Sequence, residues 1–222
     1  MKVLKNIQTK DRIAQAIRDE ILSGKMEPGE ELAQEALAEM LGVSRMPVRE
    51  ALQTLVQDGF ARRLPNRHIQ AVVLDSDQIH DVFRVAGIME TELIQLALEK
   101  WRNLEKMGDN QELSGIGEDL RQILYLMEET SDLGKKIQYE MEFHEHLIRT
   151  AGNPYLEQLQ NKVMDGYVFY AISNLTEKYE VMDMLWAITG ALEKKDAVAA
   201  GDTLKEYYRY YADKFAERWR RQ

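Results

Sequence analysis

Three of the four prolines, Pro28, Pro47 and Pro65, fall before residue 75, and only Pro154 interrupts the chain from there to residue 222. Proline removes a backbone donor and clashes with the preceding turn, so a stretch nearly free of it is open to long helices. Apolar residues recur there with helical period, which predicts helices near 76–102, 109–130, 133–151, 154–175, 178–194 and 197–220. The fold class expected is mainly α, with an all-α bundle of about six helices over residues 75–222.

Residues 1–74 read differently. Ile13, Ile17 and Ile21 recur at four-residue spacing ahead of Gly24, which predicts a helix near 10–23. Glu27-Pro28-Gly29-Glu30 reads as a turn. Leu37, Ala38 and Leu41 share one face of a helix near 34–41 that Gly42 closes. Ser44 can cap a third helix running to about Asp58, before Gly59. Phe60–Leu64 and Ile69–Leu74 flank Pro65-Asn66 as two short strands around a turn. Three helices and a β-hairpin wing make a winged helix-turn-helix. The hinge to the helical part is expected around 73–77.

Hydrophobic residues make up 45% of the chain, enough for two cores, yet no apolar run approaches the roughly 20 residues of a membrane span. The opening MKVLKNIQTKDR lacks the apolar stretch of a signal peptide, and no cysteine is present for a disulfide, a thiolate metal site or a thiol nucleophile. A cytoplasmic protein with no membrane partner is expected. The net charge of −9 argues against a chain that coats nucleic acid along its whole length. The charge is uneven, however. Residues 1–75 carry 11 basic and 11 acidic side chains, the remainder 18 and 27. Within 44–68, five arginines face only Glu50 and Asp58.

The third helix explains where that basic density points. With Arg45 at zero on a wheel of about 100° per residue, Val48, Ala51, Leu52 and Leu55 occupy an apolar arc of about 240–340°. Arg49, Gln53 and Met46 fall opposite, at about 40–100°. A helix packed by one face and presenting arginines on the other suits the DNA major groove, where a guanidinium can take guanine O6 and N7 together. The backbone N–H groups at Ser44 add a site for phosphate.

The stretch Ile17–Val73 resembles the GntR-type winged helix domain. The residues that carry the resemblance are Ile21-Leu22-Ser23-Gly24, Pro28-Gly29, Leu37-Ala38 and Leu41-Gly42-Val43-Ser44-Arg45, then Pro47-Val48-Arg49-Glu50-Ala51-Leu52, Leu55 and Gly59. The resemblance implies that Ser44, Arg45 and Arg49 contact operator DNA, with Met46 and Gln53 on the same arc. It also implies that the wing tip, Asn66-Arg67-His68, enters the minor groove. Two positions depart from the family pattern. Glu35 stands where relatives often carry a basic residue in the second helix. The wing has Asn66-Arg67 where glycine is usual, and asparagine tolerates the positive φ of a tight turn.

The helical part resembles the FCD ligand-binding domain of the FadR subgroup, through Glu140-x-x-Phe143-His144, Leu147 and Ala151-Gly152-Asn153-Pro154, and through Ala191-Leu192 with Asp196 and Ala200. Many relatives hold a divalent metal there with one aspartate and three histidines. Those positions fall on Glu140, His144, Leu185 and Tyr207, and an arginine common on the domain's first helix falls on Ala86. Two surviving donors make a poor site, so neither a metal nor another cofactor is expected. The four positions remain the candidate effector pocket, with His144 otherwise a histidine hydrogen-bonded inside the helical bundle, Glu140 being the partner expected. Tyr167, Tyr170, Tyr207, Tyr208, Tyr210 and Tyr211 are expected mainly in the core or an interface, with a minority lining a cavity. Met182, Met184 and Trp186 are expected in the core.

These readings converge on a homodimeric, sequence-specific transcription regulator that binds double-stranded operator DNA. A small-molecule effector, an organic acid or related metabolite, would control it. A regulator whose helical domain only dimerises is the second reading and a hydrolytic enzyme the third, although no Ser-His or metal motif supports the third.

Overall fold

The computed structural model describes residues 9–27, 29–72, 74–107, 115–175 and 179–219. The chain divides into two compact units, Met1–Asp75 and Ser76–Arg221. The expected helix starts at 109 and 178, the helix end at 220, Val73 of the second strand and Pro28 of the turn lie outside the described residues.

In the first unit α1 (Thr9–Leu22) buries Ile13, Ala14, Ile17, Ile21 and Leu22 against α3 (Arg45–Gln57). The four-residue isoleucine spacing is the stripe that makes this contact. Between them α2 (Gln34–Leu41) ends at Gly42, whose φ of 64° lets its N–H and that of Val43 take the helix's last carbonyls. Ser44 adopts the extended geometry of an N-cap, but its hydroxyl makes no capping hydrogen bond, contrary to expectation. α3 buries Val48, Ala51, Leu52 and Leu55, the arc the wheel assigns to the core. Arg18 of α1 bridges to Asp58 at 2.9 Å and lies 5.0 Å over the Phe60 ring, tying α1 to the end of α3.

The wing is an antiparallel pair, β1 (Ala61–Arg63) and β2 (Ile69–Ala71), with Ala61 opposite Ala71. Each strand is shorter than the sequence suggests. The run before α2 joins β2 from its other side, through Leu32 N–H to the Ile69 carbonyl at 2.8 Å and Ala71 N–H to the Glu30 carbonyl at 2.9 Å. At the wing tip the positive φ belongs to Arg67, at 69°, rather than to Asn66. Asn66 serves the turn instead, its Oδ1 accepting from the His68 N–H at 3.2 Å.

The second unit is built on α4 (Ser76–Met107) and α10 (Ala197–Trp219), its most extensively packed pair. Their close approach depends on two small residues. A Cβ on Gly201 would stand 2.6 Å from Thr91 Cγ2, and one on Gly87 3.2 Å from Tyr208 Cδ2. Around this pair lie α5 (Gly115–Glu129), α6 (Leu133–Thr150), α7 (Pro154–Val163), α8 (Phe169–Asn174) and α9 (Tyr179–Glu193). Asp132 caps α6 and Asn153 caps α7, each side chain accepting a backbone N–H at 3.1 Å.

The single helix expected over 154–175 is two. Asp165 has ψ 125° and Gly166 has φ 106°, ψ −114°, so the turn Met164–Val168 breaks the helix between α7 and α8. Gly166 alone in that turn can adopt such angles without a Cβ clash. Met164, Gly166, Tyr167 and Val168 are all buried at the break. Met182, Met184 and Trp186 are half-buried rather than core, and the Trp186 indole donates to Glu128 at 2.8 Å.

Candidate nucleic-acid interface and buried polar cluster

The reading face begins with what α3 leaves outside. Ser44, Arg45, Met46, Arg49 and Gln53 are all exposed, because the apolar arc fixes the opposite side inward. Arg49 Nη2 lies 3.3 Å from the Met46 sulfur, so the two share one strip of surface. Arg45 pairs with Glu35 of α2. In the wing, Asn66, Arg67 and His68 are exposed at the tip, and His68 Nδ1 lies 2.7 Å from the Glu31 carboxylate. The sequence identified every arginine of this face but not the partnership of Arg45 with Glu35.

The second unit contains polar chemistry sealed in its core. Glu90, Glu140, His144 and Gln160 are each wholly buried, as are Tyr207 and Tyr211, while Tyr208 is nearly so. His144 Nδ1 lies 2.8 Å from Glu90 Oε1, and Nε2 lies 2.9 Å from the Tyr207 hydroxyl. Tyr207 donates to Glu140 Oε1 at 2.7 Å, and Tyr211 donates to the same oxygen at 2.5 Å. Tyr208 donates to Glu90 Oε2, which Gln160 Nε2 also reaches at 3.3 Å. A hydroxyl has one proton, and Tyr207 gives it to Glu140. Its oxygen therefore accepts from His144 Nε2–H, which fixes where that imidazole proton sits. Burial, reinforced by Glu140, pushes the Tyr207 hydroxyl well above its usual range, and burial with Glu90 does the same for Tyr208. Both stay protonated donors.

Of the four pocket residues expected, Glu140, His144 and Tyr207 meet directly through these bonds. Leu185 is fully buried on α9 and offers no polar atom. The histidine's partners are Glu90 and Tyr207, with Tyr207 carrying the link on to Glu140. Glu90 escaped sequence reasoning, yet a signal existed. It lies on α4 in register with Ile79, Phe83, Ala86, Leu93 and Ala97, a charged residue on an otherwise apolar stripe. Such a residue is buried only with partners. Ala86 contributes its carbonyl, which Gln160 Nε2 approaches at 3.3 Å.

The donors do not fit a bound metal. Leu185 supplies none, and both nitrogens of His144 already have protein partners. Among the described residues no group of three or more His, Cys, Asp or Glu is arranged to hold a metal ion. Beside the cluster an open cleft of about 360 Å³ is lined by Met141, Glu145, Arg149, Asn161, Met164 and Asp165, and it ends against the buried His144.

Comparison with known proteins agrees with both halves of this description. Residues 9–69 match the gntR family of bacterial regulatory proteins, and residues 81–210 match the FCD domain. The chain is 26% identical over 229 residues to the gluconate operon transcriptional repressor of Bacillus subtilis (strain 168), covering 98% of this chain and 89% of the relative. Its fold resembles that of McbR/YncC from E. coli, with TM-score 0.62, 19% identity, and 96% and 99% of the two chains covered. It also resembles Lar, which controls expression of the Listeria monocytogenes agr system, with TM-score 0.62, 21% identity, and 95% and 97% covered. The fold and these matches define a DNA-binding transcription regulator. The chain belongs to the gntR family, in the branch that joins the winged helix to an FCD effector-binding domain.

Proposed function

We propose that this regulator works as a cytoplasmic homodimer without enzymatic activity, reading two half-sites of a pseudo-palindromic operator. Ser44, Arg45, Met46, Arg49 and Gln53 face the major groove, and Asn66, Arg67 and His68 reach the minor groove. The observation that carries this reading is the division of α3 into a buried apolar arc and an exposed arc bearing two arginines. An effector biases the two readers from the site around Glu140, His144, Leu185 and Tyr207, with Glu90 included. The donors of that cluster already serve its two carboxylates, while the buried Gln160 Oε1 has no hydrogen-bond partner among the described residues and joins the carboxylates as acceptors facing the site. Of the organic acids and related metabolites expected, those bearing hydroxyl donors fit such acceptors best. A relative that represses the gluconate operon makes sugar acids the first compounds to screen.

The test is selection of an operator from random duplexes, followed by substitution. Arg49→Ala is expected to lose roughly 1–3 kcal/mol of operator affinity, the scale of one bidentate base contact. Loss of discrimination at a single base pair identifies a base contact. An even loss across sequences, with a salt slope smaller by about one, identifies a phosphate contact. Selection that enriches no sequence would sink the reading of α3.

A further inference from the structure

Glu35 occupies the first turn of α2, and its carboxylate pairs with the guanidinium of Arg45, the first residue of α3. Both side chains are largely exposed, at 73% and 67%, so the pair lies on the surface rather than in the core. A carboxylate on a face that meets a polyanion opposes binding, because it repels the phosphates that supply sequence-independent affinity. Its place beside Arg45 therefore calls for a role other than grip.

We infer that Glu35 is a positioning residue that makes Arg45 a reader of base edges instead of a phosphate clamp, giving up non-specific affinity for discrimination. The inference rests on the proposal that α3 reads DNA. A guanidinium presents five N–H donors in a rigid planar fork. Carboxylate contact at Nη2 orients that plane and leaves the remaining donors for a second acceptor. A bidentate contact to guanine needs such an oriented fork. An unrestrained arginine at the same place swings freely to the nearest phosphate, and each phosphate so neutralised adds about 0.9 to the salt slope. Glu35 offsets the arginine's charge toward the backbone while keeping its donors. The exposed pair is weak enough to yield geometry to the groove without blocking it.

The experiment uses the full-length chain and an operator selected by the wild type. Binding to operator and to random duplex is measured across a salt series for wild type, Glu35→Gln, Arg45→Ala and the double variant. Glu35→Gln keeps the size and removes the charge, and both positions are exposed, so folding is not at stake. The expected result is tighter binding of random duplex by up to about fivefold, the scale of a surface ion pair, and a salt slope steeper by about one. Discrimination at the base pair that Arg45→Ala identifies should fall. In the Arg45→Ala background Glu35→Gln should leave discrimination unchanged and tighten random-duplex binding only by the smaller amount that lost phosphate repulsion gives. Two results overturn the inference: Glu35→Gln matching wild type in all three measurements, or shifting them equally with and without Arg45. A wild type that selects no sequence overturns the DNA-reading proposal itself, which separates the two failures.

Discussion

At the scale of single residues, the cluster around His144 shows how much depends on one hydroxyl. Tyr207 accepts from His144 and donates to Glu140, so one oxygen links the two buried groups. Tyr207→Phe keeps the ring and removes only that oxygen. We expect it to lower stability by roughly 1–3 kcal/mol, the cost of a buried donor left unsatisfied, measured as a shift in the urea midpoint at constant slope. A midpoint within error of wild type would show that the linkage carries no weight. The same residue bears on metal content. With leucine at 185 and tyrosine at 207, elemental analysis after mild purification should find less than one zinc, nickel or manganese per chain, and a stoichiometric ion would refute the assignment of these donors. The sequence made Glu140, His144 and Tyr207 legible because helical spacing and a family pattern place them. It did not reveal Glu90, whose partners Tyr208 and His144 lie 118 and 54 residues away and become neighbours only in the fold.

At the scale of elements, periodic stripes were readable and interruptions were not. The isoleucines of α1 and the apolar arc of α3 face inward as their spacing requires, since burial of one stripe is what stabilises a short helix. The break at Asp165–Gly166 has no such periodic sign: a lone glycine inside a helical pattern is usually tolerated. At the break the Met164 sulfur lies 3.2 Å from the Tyr208 hydroxyl, a contact between residues 44 apart in sequence. We expect Gly166→Ala to destabilise the second unit by about 1–3 kcal/mol, because alanine at φ 106° is strained whatever space surrounds it. Calorimetry on the full chain reads this, and an unchanged transition would mean that the turn readily adopts another form. The wing teaches the same lesson on a smaller scale. Its two strands and turn were legible, while the residue carrying positive φ, Arg67, was not, because the Asn66 side chain was engaged in holding the turn.

At the scale of the whole molecule, division into a reading unit and a helical unit followed from the proline distribution and the change in charge between them. Assembly is a separate matter. One winged helix offers few phosphate contacts, so useful affinity calls for two readers held together. We expect light scattering to give a dimer at micromolar concentration and dilution below its dissociation to weaken operator binding. A monomer that binds the operator with undiminished affinity would contradict the proposal. The sealed cluster carries a consequence of a different kind. Glu90, Glu140, His144 and Tyr207 have no surface open to water, so any molecule that takes over their hydrogen bonds must wait for the helices to part. Its arrival is then timed by the protein's own breathing rather than by collision. The observed association rate would rise with concentration only up to a ceiling, and that ceiling would be the frequency of opening.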